Sequence, residues 1–281
     1  MRSEDFDMFR DLLMQRSGLV LSPEKVYLLE SRLMPVARKY NLRGLDELAE
    51  KVRPKTDERL LVDITEAMTT NESSFFRDQR PFDLFRNSVL PTLAGARGSQ
   101  RKLRIWSAAC SSGQEAYSLA MILAEEKAKY AGWDISILGT DISNEILGKA
   151  KEAIYTQFEV QRGLPIANLV KYFDQQGEKW QVKDELRRMV KFQNFNLLEN
   201  PQSLGQFDVI FCRNVLIYFD PPTKTKVLEA LSGLLAADGL LFLGGAETVL
   251  GITDRFKPME GQRGTYRLAN ATDGAGLRGA A

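Results

Sequence analysis

The stretch KLRIWSAACSSGQEAYSLA (102–120) decides the fold. A short β-rich run, KLRIWS (102–107), passes through a turn of small residues, Ala108 to Gly113, into a helical pattern near 114–129. The same unit recurs downstream. DISILGTDI (134–142) precedes a helix near 143–152, and FDVIFCRN (207–214) precedes one near 222–236. VKFQNFN (190–196) and GLLFLGG (239–245) add further strands. Apolar strands separated by helices predict an α/β fold with a mainly parallel sheet covered on both faces. GTYRLAN (264–270) reads as an added antiparallel strand. Residues 153–189 interrupt the alternation. There KYFDQQGEKWQVKDELRRMVKF (171–192) reads as a helix end, a Gly turn and two short strands, hence a small inserted subdomain.

Upstream, residues 1–88 show helical periodicity only. Phe6, Phe9, Leu12 and Leu13 repeat at three and four, as do Val26, Leu29 and Leu33, then Leu45, Leu48 and Val52. Ser22-Pro23-Glu24 reads as a capped helix start, and Pro35 is expected to kink or shorten the helix that follows. The expected organisation is a helical domain (1–88), a sheet domain (89–270) with its insert at about 153–189, and a small-residue tail (271–281) that reads as disordered. A length of 281 residues fits about two domains at roughly 150 residues each.

Composition narrows the chemistry. Lys plus Arg number 38 and Asp plus Glu 37, so the net charge is +1, which weighs against a dedicated nucleic-acid binder. The chain has no histidine, which excludes Ser-His-Asp triads, imidazole acid–base catalysis and His-ligated metal. With Cys110 and Cys212 as its two cysteines, it lacks ligands for a zinc site and cannot build a disulfide framework. The opening MRSEDFDMFRDLL places acids where an export signal needs an apolar run, and no stretch has the roughly 18 apolar residues of a membrane span, so a cytoplasmic setting is expected.

In a doubly wound sheet the ligand lies beyond the carboxyl ends of the strands, where strand order reverses. The turn at Ala108–Gly113 is not GxGxxG, and Glu115 follows it, so a pyrophosphate has a poor cradle and a cationic or amine-bearing ligand a better one. Glu115 is equally placed to be an ordinary helix-start acid. Asp141 ends the second strand, where an acid accepts hydrogen bonds from ribose hydroxyls or caps the next helix. Together they point to a nucleoside without a pyrophosphate, and S-adenosylmethionine fits. Arg213 and Asn214 leave the strand at 207–212, and Tyr218 follows. Asn71, Ser73 and Arg77 surround Phe75 and Phe76, and Arg77 is of the type that grips a carboxylate in bidentate fashion.

MTTNESSFFRD (68–78), IWSAACSSGQEAYSLA (105–120), ILGTDIS (137–143), VKFQNFNLLE (190–199) and FDVIFCRNVLIYFD (207–220), in this order, resemble the chemotaxis receptor methyltransferases, the CheR family. The resemblance runs from the first helices to GGAETV (244–249). It implies an all-helical N-terminal domain, a Rossmann-like S-adenosylmethionine domain, and a small inserted antiparallel β-subdomain. It implies methyl transfer to glutamate carboxylates of chemoreceptors, with S-adenosylhomocysteine as product. By position, Asn71, Ser73 and Arg77 match the family's cofactor motif, with Ser73 in place of the usual Thr. Glu115 and Asp141 match the acids holding the amino-acid part and the ribose. Asn196 and Leu197 match the pair near the adenine, and Arg213 and Asn214 the pair beside the sulfonium.

The implied chemistry needs no base, because a glutamate with a pKa of about 4.3 is already ionised at neutral pH. Alignment then carries catalysis, with Arg213, Asn214 and Tyr218 as candidates to orient the carboxylate. Arg32, Arg38, Lys39 and Arg43 form an acid-free run between Ser31 and Leu45, expected to present a basic face to the acidic helices of the receptor at the inner side of the membrane. The turn Gln175-Gln176-Gly177 is shorter than in relatives that tether a receptor pentapeptide, so the resemblance leaves that contact open. A nucleic-acid or small-molecule methyltransferase lacks its basic groove or base here, a dehydrogenase lacks its glycines, and a non-catalytic adaptor leaves the intact site motifs without a purpose.

Overall fold

The computed structural model describes residues 2–271, so most of the tail lies outside the described residues. The chain forms two compact units. The first comprises the chain as far as Thr70 together with Tyr218–Thr223. Its helices are α1 (Ser3–Ser17), α2 (Val26–Lys39), α3 (Leu45–Val52) and α4 (Glu58–Met68). The expected apolar stripes meet in its core, where Phe9, Leu13, Leu29, Leu33, Leu48 and Ile64 are fully buried. Asp5 is buried with them and is held by Arg2 at 2.9 Å and Arg53 at 2.6 Å. Gly18 closes α1 at φ +73, and a side chain there would press on the ring of Phe219.

Two local expectations change. Ser22 makes no side-chain cap; Pro23–Lys25 form a 3-10 turn that leads into α2. Pro35 does not end α2, which runs on to Lys39. Proline removes one donor, and the residue whose carbonyl loses it, Ser31, is exposed like Pro35, so the lost bond falls on the solvent side of α2.

The second unit holds Asn71–Ile217 and the chain from Lys224 onward. It begins with α5 (Arg80–Leu84), a π-turn at Phe85–Val89, and α6 (Leu90–Ala96). Then come β1 (Lys102–Ala108), α7 (Gln114–Glu125), β2 (Asp134–Asp141) and α8 (Asn144–Glu152). The insert contributes β3 (Ile154–Thr156), α9 (Gln157–Gln161), α10 (Ile166–Tyr172), β4 (Phe173–Gln176), β5 (Lys179–Val182) and α11 (Asp184–Arg187). The chain returns through β6 (Val190–Asn194), β7 (Phe207–Cys212), α12 (Pro221–Leu234), β8 (Leu235–Leu243), β9 (Phe256–Met259) and β10 (Gln262–Leu268).

The division between units therefore falls at Thr70–Asn71 and not near residue 88. Residues 80–96 are helical, past the expected limit near 88, and Phe82, Phe85, Val89 and Leu90 fill the same core as Leu103, Ile105 and Phe211 of the sheet. Phe82 stacks on Phe211 with ring centroids 5.9 Å apart. Helical period does not reveal which core a helix fills.

The main sheet has seven strands in the order β6-β2-β1-β7-β8-β10-β9. Its first five run parallel, and β10 pairs antiparallel with both β8 and β9. Pattern reading finds β10 and misses β9, a four-residue edge strand containing Pro258, which a central strand would not tolerate. The insert is an antiparallel sheet in the order β3-β5-β4, one strand and two short helices richer than expected. It is tied down at Gly163, at φ +82, where a Cβ would stand 2.1 Å from the carbonyl oxygen of Phe75. No helix among the described residues is long and apolar enough to cross a membrane.

Strand order reverses at β1. Ala108 at its carboxyl end is in register with Thr140 of β2 on one side and Cys212 of β7 on the other. The residues that follow these three strands thus converge at one switch point.

Candidate active site

The turn after β1 takes its shape from small residues. Ala109, Ser111 and Gly113 all have left-handed backbone, at φ +56, +51 and +90. Alternating left-handed residues turn backbone N–H groups toward one side, a conformation that larger side chains oppose. The Cys110 N–H donates to the Thr140 carbonyl at 2.8 Å, and the Tyr155 hydroxyl donates to the Ser112 carbonyl at 2.7 Å. Gly113 is also required by space, since a Cβ would sit 3.1 Å from both Ala150 and Phe192.

Asp141 is buried at the end of β2. Its Oδ2 accepts the Ser111 N–H at 2.9 Å and its Oδ1 the Ser143 N–H at 3.1 Å. Ser143, not Asp141, caps α8, its hydroxyl accepting the Ile146 N–H at 3.2 Å. Asp141 is thereby released from the capping role, and it braces the turn that follows β1.

Glu115 is not merely a helix-start acid either. Its Oε1 accepts the Ser107 hydroxyl at 2.8 Å, and its Oε2 accepts Arg213 Nη1 at 3.1 Å. Arg213 Nη2 donates to Asp78 Oδ2 at 2.7 Å and to the Arg77 carbonyl at 2.9 Å. The guanidinium lies 5.6 Å from the centre of the Phe82 ring, and its side chain is only 2% exposed. Its Nε has no hydrogen-bond partner among the described residues. Two carboxylates against one guanidinium leave a net charge of −1, which suits a ligand carrying an extra positive charge.

This geometry adds a structural role to the one expected for Arg213. Three of its four terminal N–H groups are spent inside the protein, on Glu115, Asp78 and the Arg77 carbonyl, so Arg213 is a post that holds the two acids. The Asp78 segment needs such a post, because Phe76, Asp78 and Gln79 are held at φ +48, +65 and +39. The Phe76 N–H is fixed by the buried Ser118 hydroxyl at 2.9 Å.

Other expected residues gather around this centre. The Asn71 carbonyl accepts the Ser111 hydroxyl at 2.9 Å. Ser73 and Arg77 are half-buried on the same segment, Arg77 Nη1 donating to the Glu72 carbonyl at 3.2 Å. The Phe195 N–H donates to the Asp141 carbonyl at 3.0 Å, which brings Asn196 and the half-buried Leu197 to the end of β2. Asn196 Oδ1 closes a turn by accepting the Leu198 N–H at 3.1 Å. Tyr218 belongs to the helical unit, where its carbonyl accepts the Val20 N–H at 2.9 Å.

Cys110 and Cys212 are buried, and burial raises their thiols well above the usual cysteine range. Sequence reasoning missed two acids. Asp78 directly follows Arg77, and Glu247 sits among small residues after β8 and binds the backbone beyond β7. Their signal was a lone acid beside a recognised motif, which by itself is indistinguishable from a solvated one.

Two family models cover almost all of this chain. "CheR methyltransferase, all-alpha domain" matches residues 4–69, and "CheR methyltransferase, SAM binding domain" matches 71–265. The chain belongs to the CheR family. The junction between the models coincides with the division between units at Thr70–Asn71. Among CheR relatives, chemotaxis protein methyltransferase 1 of Pseudomonas aeruginosa is 41% identical over 260 residues, covering 91% of this chain and 94% of the relative. Chemotaxis protein methyltransferase 1 of Vibrio cholerae is 40% identical over 257 residues, covering 90% and 92%. The sheet unit is accordingly a Rossmann-like, S-adenosylmethionine-binding methyltransferase domain.

Of the four residues expected to form a basic face on the helical unit, three have partners inside the protein. Arg43 lies beyond the end of α2, because Asn41 at φ +58 has already turned the chain, and it pairs with Glu47 at 2.5 Å. Arg32 spends Nη1 on the carbonyls of Met68 and Thr69, at 2.7 and 2.9 Å, finishing α4. Lys39 pairs with Asp63 at 2.7 Å. Arg38 remains exposed on the last turn of α2.

Proposed function

We propose that this chain transfers a methyl group from S-adenosylmethionine to side-chain carboxylates of glutamates on chemoreceptors, forming glutamyl methyl esters. The reading is carried by the placement of Glu115 and Asp141 on either side of the small-residue turn at the switch point, in a chain 41% identical to a chemotaxis methyltransferase. Bound S-adenosylmethionine supplies a methyl group on a positively charged sulfur and leaves as S-adenosylhomocysteine.

The residues present fit that ligand. Glu115, within a cluster of net charge −1, suits its ammonium group, and Asp141 suits its ribose hydroxyls. Asn71, Ser73 and Arg77 take its carboxylate end, while Asn196 and Leu197 lie toward its base. The receptor glutamate arrives ionised at neutral pH, so the protein needs no group to remove a proton, consistent with a chain that has no histidine. What remains for the protein is alignment, worth up to about 7–11 kcal/mol in well-oriented systems. Asn214 orients the acceptor, and Arg77 offsets its charge as it approaches. Tyr218 and Arg213 are further orienting candidates, and Arg213 also holds Glu115 in place.

The receptor's acidic helices meet the helical unit through the end of α2, with Arg38 and the half-neutralised Lys39 as contacts, on the cytoplasmic side of the membrane. Incubation with labelled S-adenosylmethionine and receptor-containing membranes tests the reading. Base-labile methanol released from a receptor-sized band is the expected result, and label on RNA or on no macromolecule overturns it. Arg38→Glu is expected to slow methylation several-fold at low salt and less at high salt; a salt-independent parental rate removes Arg38 from the interface.

A further inference from the structure

Glu247 is a buried acid that none of the donor contacts explains. Its carboxylate accepts four backbone N–H groups. Oε2 takes those of Asn214 at 2.8 Å and Gly244 at 2.6 Å, and Oε1 those of Val215 at 2.9 Å and Ile217 at 3.3 Å. A carboxylate has about four acceptor positions, so these donors saturate it and leave it nothing for a ligand. Three of them belong to the exit from β7, directly after Arg213. The first, Asn214, has left-handed backbone at φ +60.

The chain beyond β8 is fitted against the same exit. A Cβ on Gly244 would stand 2.7 Å from Asn214 Nδ2, 3.0 Å from the Asn214 nitrogen and 2.8 Å from Glu247 Oε2. A side chain at 244 would therefore push on the Asn214 and Glu247 side chains. Without the carboxylate, the backbone N–H groups of Asn214, Val215 and Ile217 would lose their internal partner.

We infer that Glu247 is a positioning residue for methyl transfer: it locks the backbone of 214–217 and so sets how Asn214 faces the acceptor, without touching the donor. The inference rests on the reading of Asn214 as an orienting residue. A displacement of about 1 Å at an aligned centre costs on the order of 100-fold in rate, so the lock bears on turnover more than on binding.

The test is Glu247→Gln. One end of its amide is a donor and would face two N–H groups. Three measurements are made on one preparation: S-adenosylhomocysteine affinity by calorimetry, kcat for receptor methylation, and amide exchange over 213–219. The expected result is a kcat at least tenfold lower, an affinity within threefold of the parent, and faster exchange at 214, 215 and 217 with β7 still protected. If Glu247→Gln does not fold, Gly244→Ala keeps the carboxylate but pushes on Asn214, and the same split is expected. Parental kcat in a folded variant, unchanged exchange, or affinity falling in step with kcat overturns the inference. A parent that does not methylate receptors defeats the receptor reading instead, and the exchange measurement still decides the lock.

Discussion

Replacing Arg213 by methionine separates two roles for this residue. If its guanidinium oriented the acceptor, Arg213→Met would slow transfer and leave folding nearly intact. The geometry points the other way. The side chain is 2% exposed and bonds to Glu115, which is 13% exposed, and to Asp78, which is 55% exposed. Removing one partner of a buried ion pair costs about 3–5 kcal/mol, because the other is left uncompensated. Asp78 regains water and Glu115 keeps the Ser107 hydroxyl, so the lower figure, about 3 kcal/mol, applies. In a domain of this size 1 kcal/mol moves Tm by about 2–4 °C, giving a fall of roughly 6–12 °C. The assay is intrinsic fluorescence on heating. All three tryptophans, Trp106, Trp133 and Trp180, lie in the sheet unit, so the signal reports that unit alone. Arg38→Met, at an exposed site, serves as control and is expected within about 0.5 kcal/mol of the parent. A melting temperature for Arg213→Met within about 2 °C of the parent would refute the role as a post.

Asp141→Ala removes the acceptor of the Ser111 and Ser143 N–H groups as well as the proposed ribose contact, and S-adenosylhomocysteine binding by calorimetry is expected to weaken at least tenfold, about 1.4 kcal/mol. Gly163→Ala forces a Cβ to 2.1 Å from the Phe75 carbonyl at a left-handed φ, so a large loss of stability is expected in the same fluorescence melt; a parental melt would show that the insert can shift freely. The hydrogen bond and charge of Arg2, with Arg53 behind it, hold Asp5 below the usual carboxylate range. A lowered folded-state pKa contributes stability that is present above the unfolded value of about 3.9 and is lost as pH falls through the folded value. Amide protection in the helical unit, measured relative to the intrinsic exchange rate at each pH, should therefore fall below about pH 4 in the parent, and Asp5→Asn should flatten that dependence.

The alternation of KLRIWS, DISILGTDI and FDVIFCRN with helical runs was enough to predict the parallel sheet, because buried parallel strands are continuously apolar and short. Glu115 and Asp141 stand next to a turn and a strand end that the pattern locates, whereas Asn71 and Asn196 were placed in the site through the family resemblance. Other features were hidden for definite reasons. Phe82 and Phe85 have the same helical spacing whichever core they fill, so the boundary at Thr70–Asn71 was invisible. Arg32 and Lys39 look like free surface charge in sequence, yet their partners, the carbonyls of Met68 and Thr69 and the carboxylate of Asp63, lie more than twenty residues away.

Local order along the chain thus determined the strands, the turn and the acids that border it, because periodicity and small-residue turns act over a few neighbours. Which charges remain available for chemistry was decided only when the chain closed. Arg213 meets Asp78 and Glu115 across separations of 135 and 98 residues, and Glu247 meets the exit from β7 across about thirty. Electrostatic neutralisation depends on distance in space, and no spacing rule carries that information.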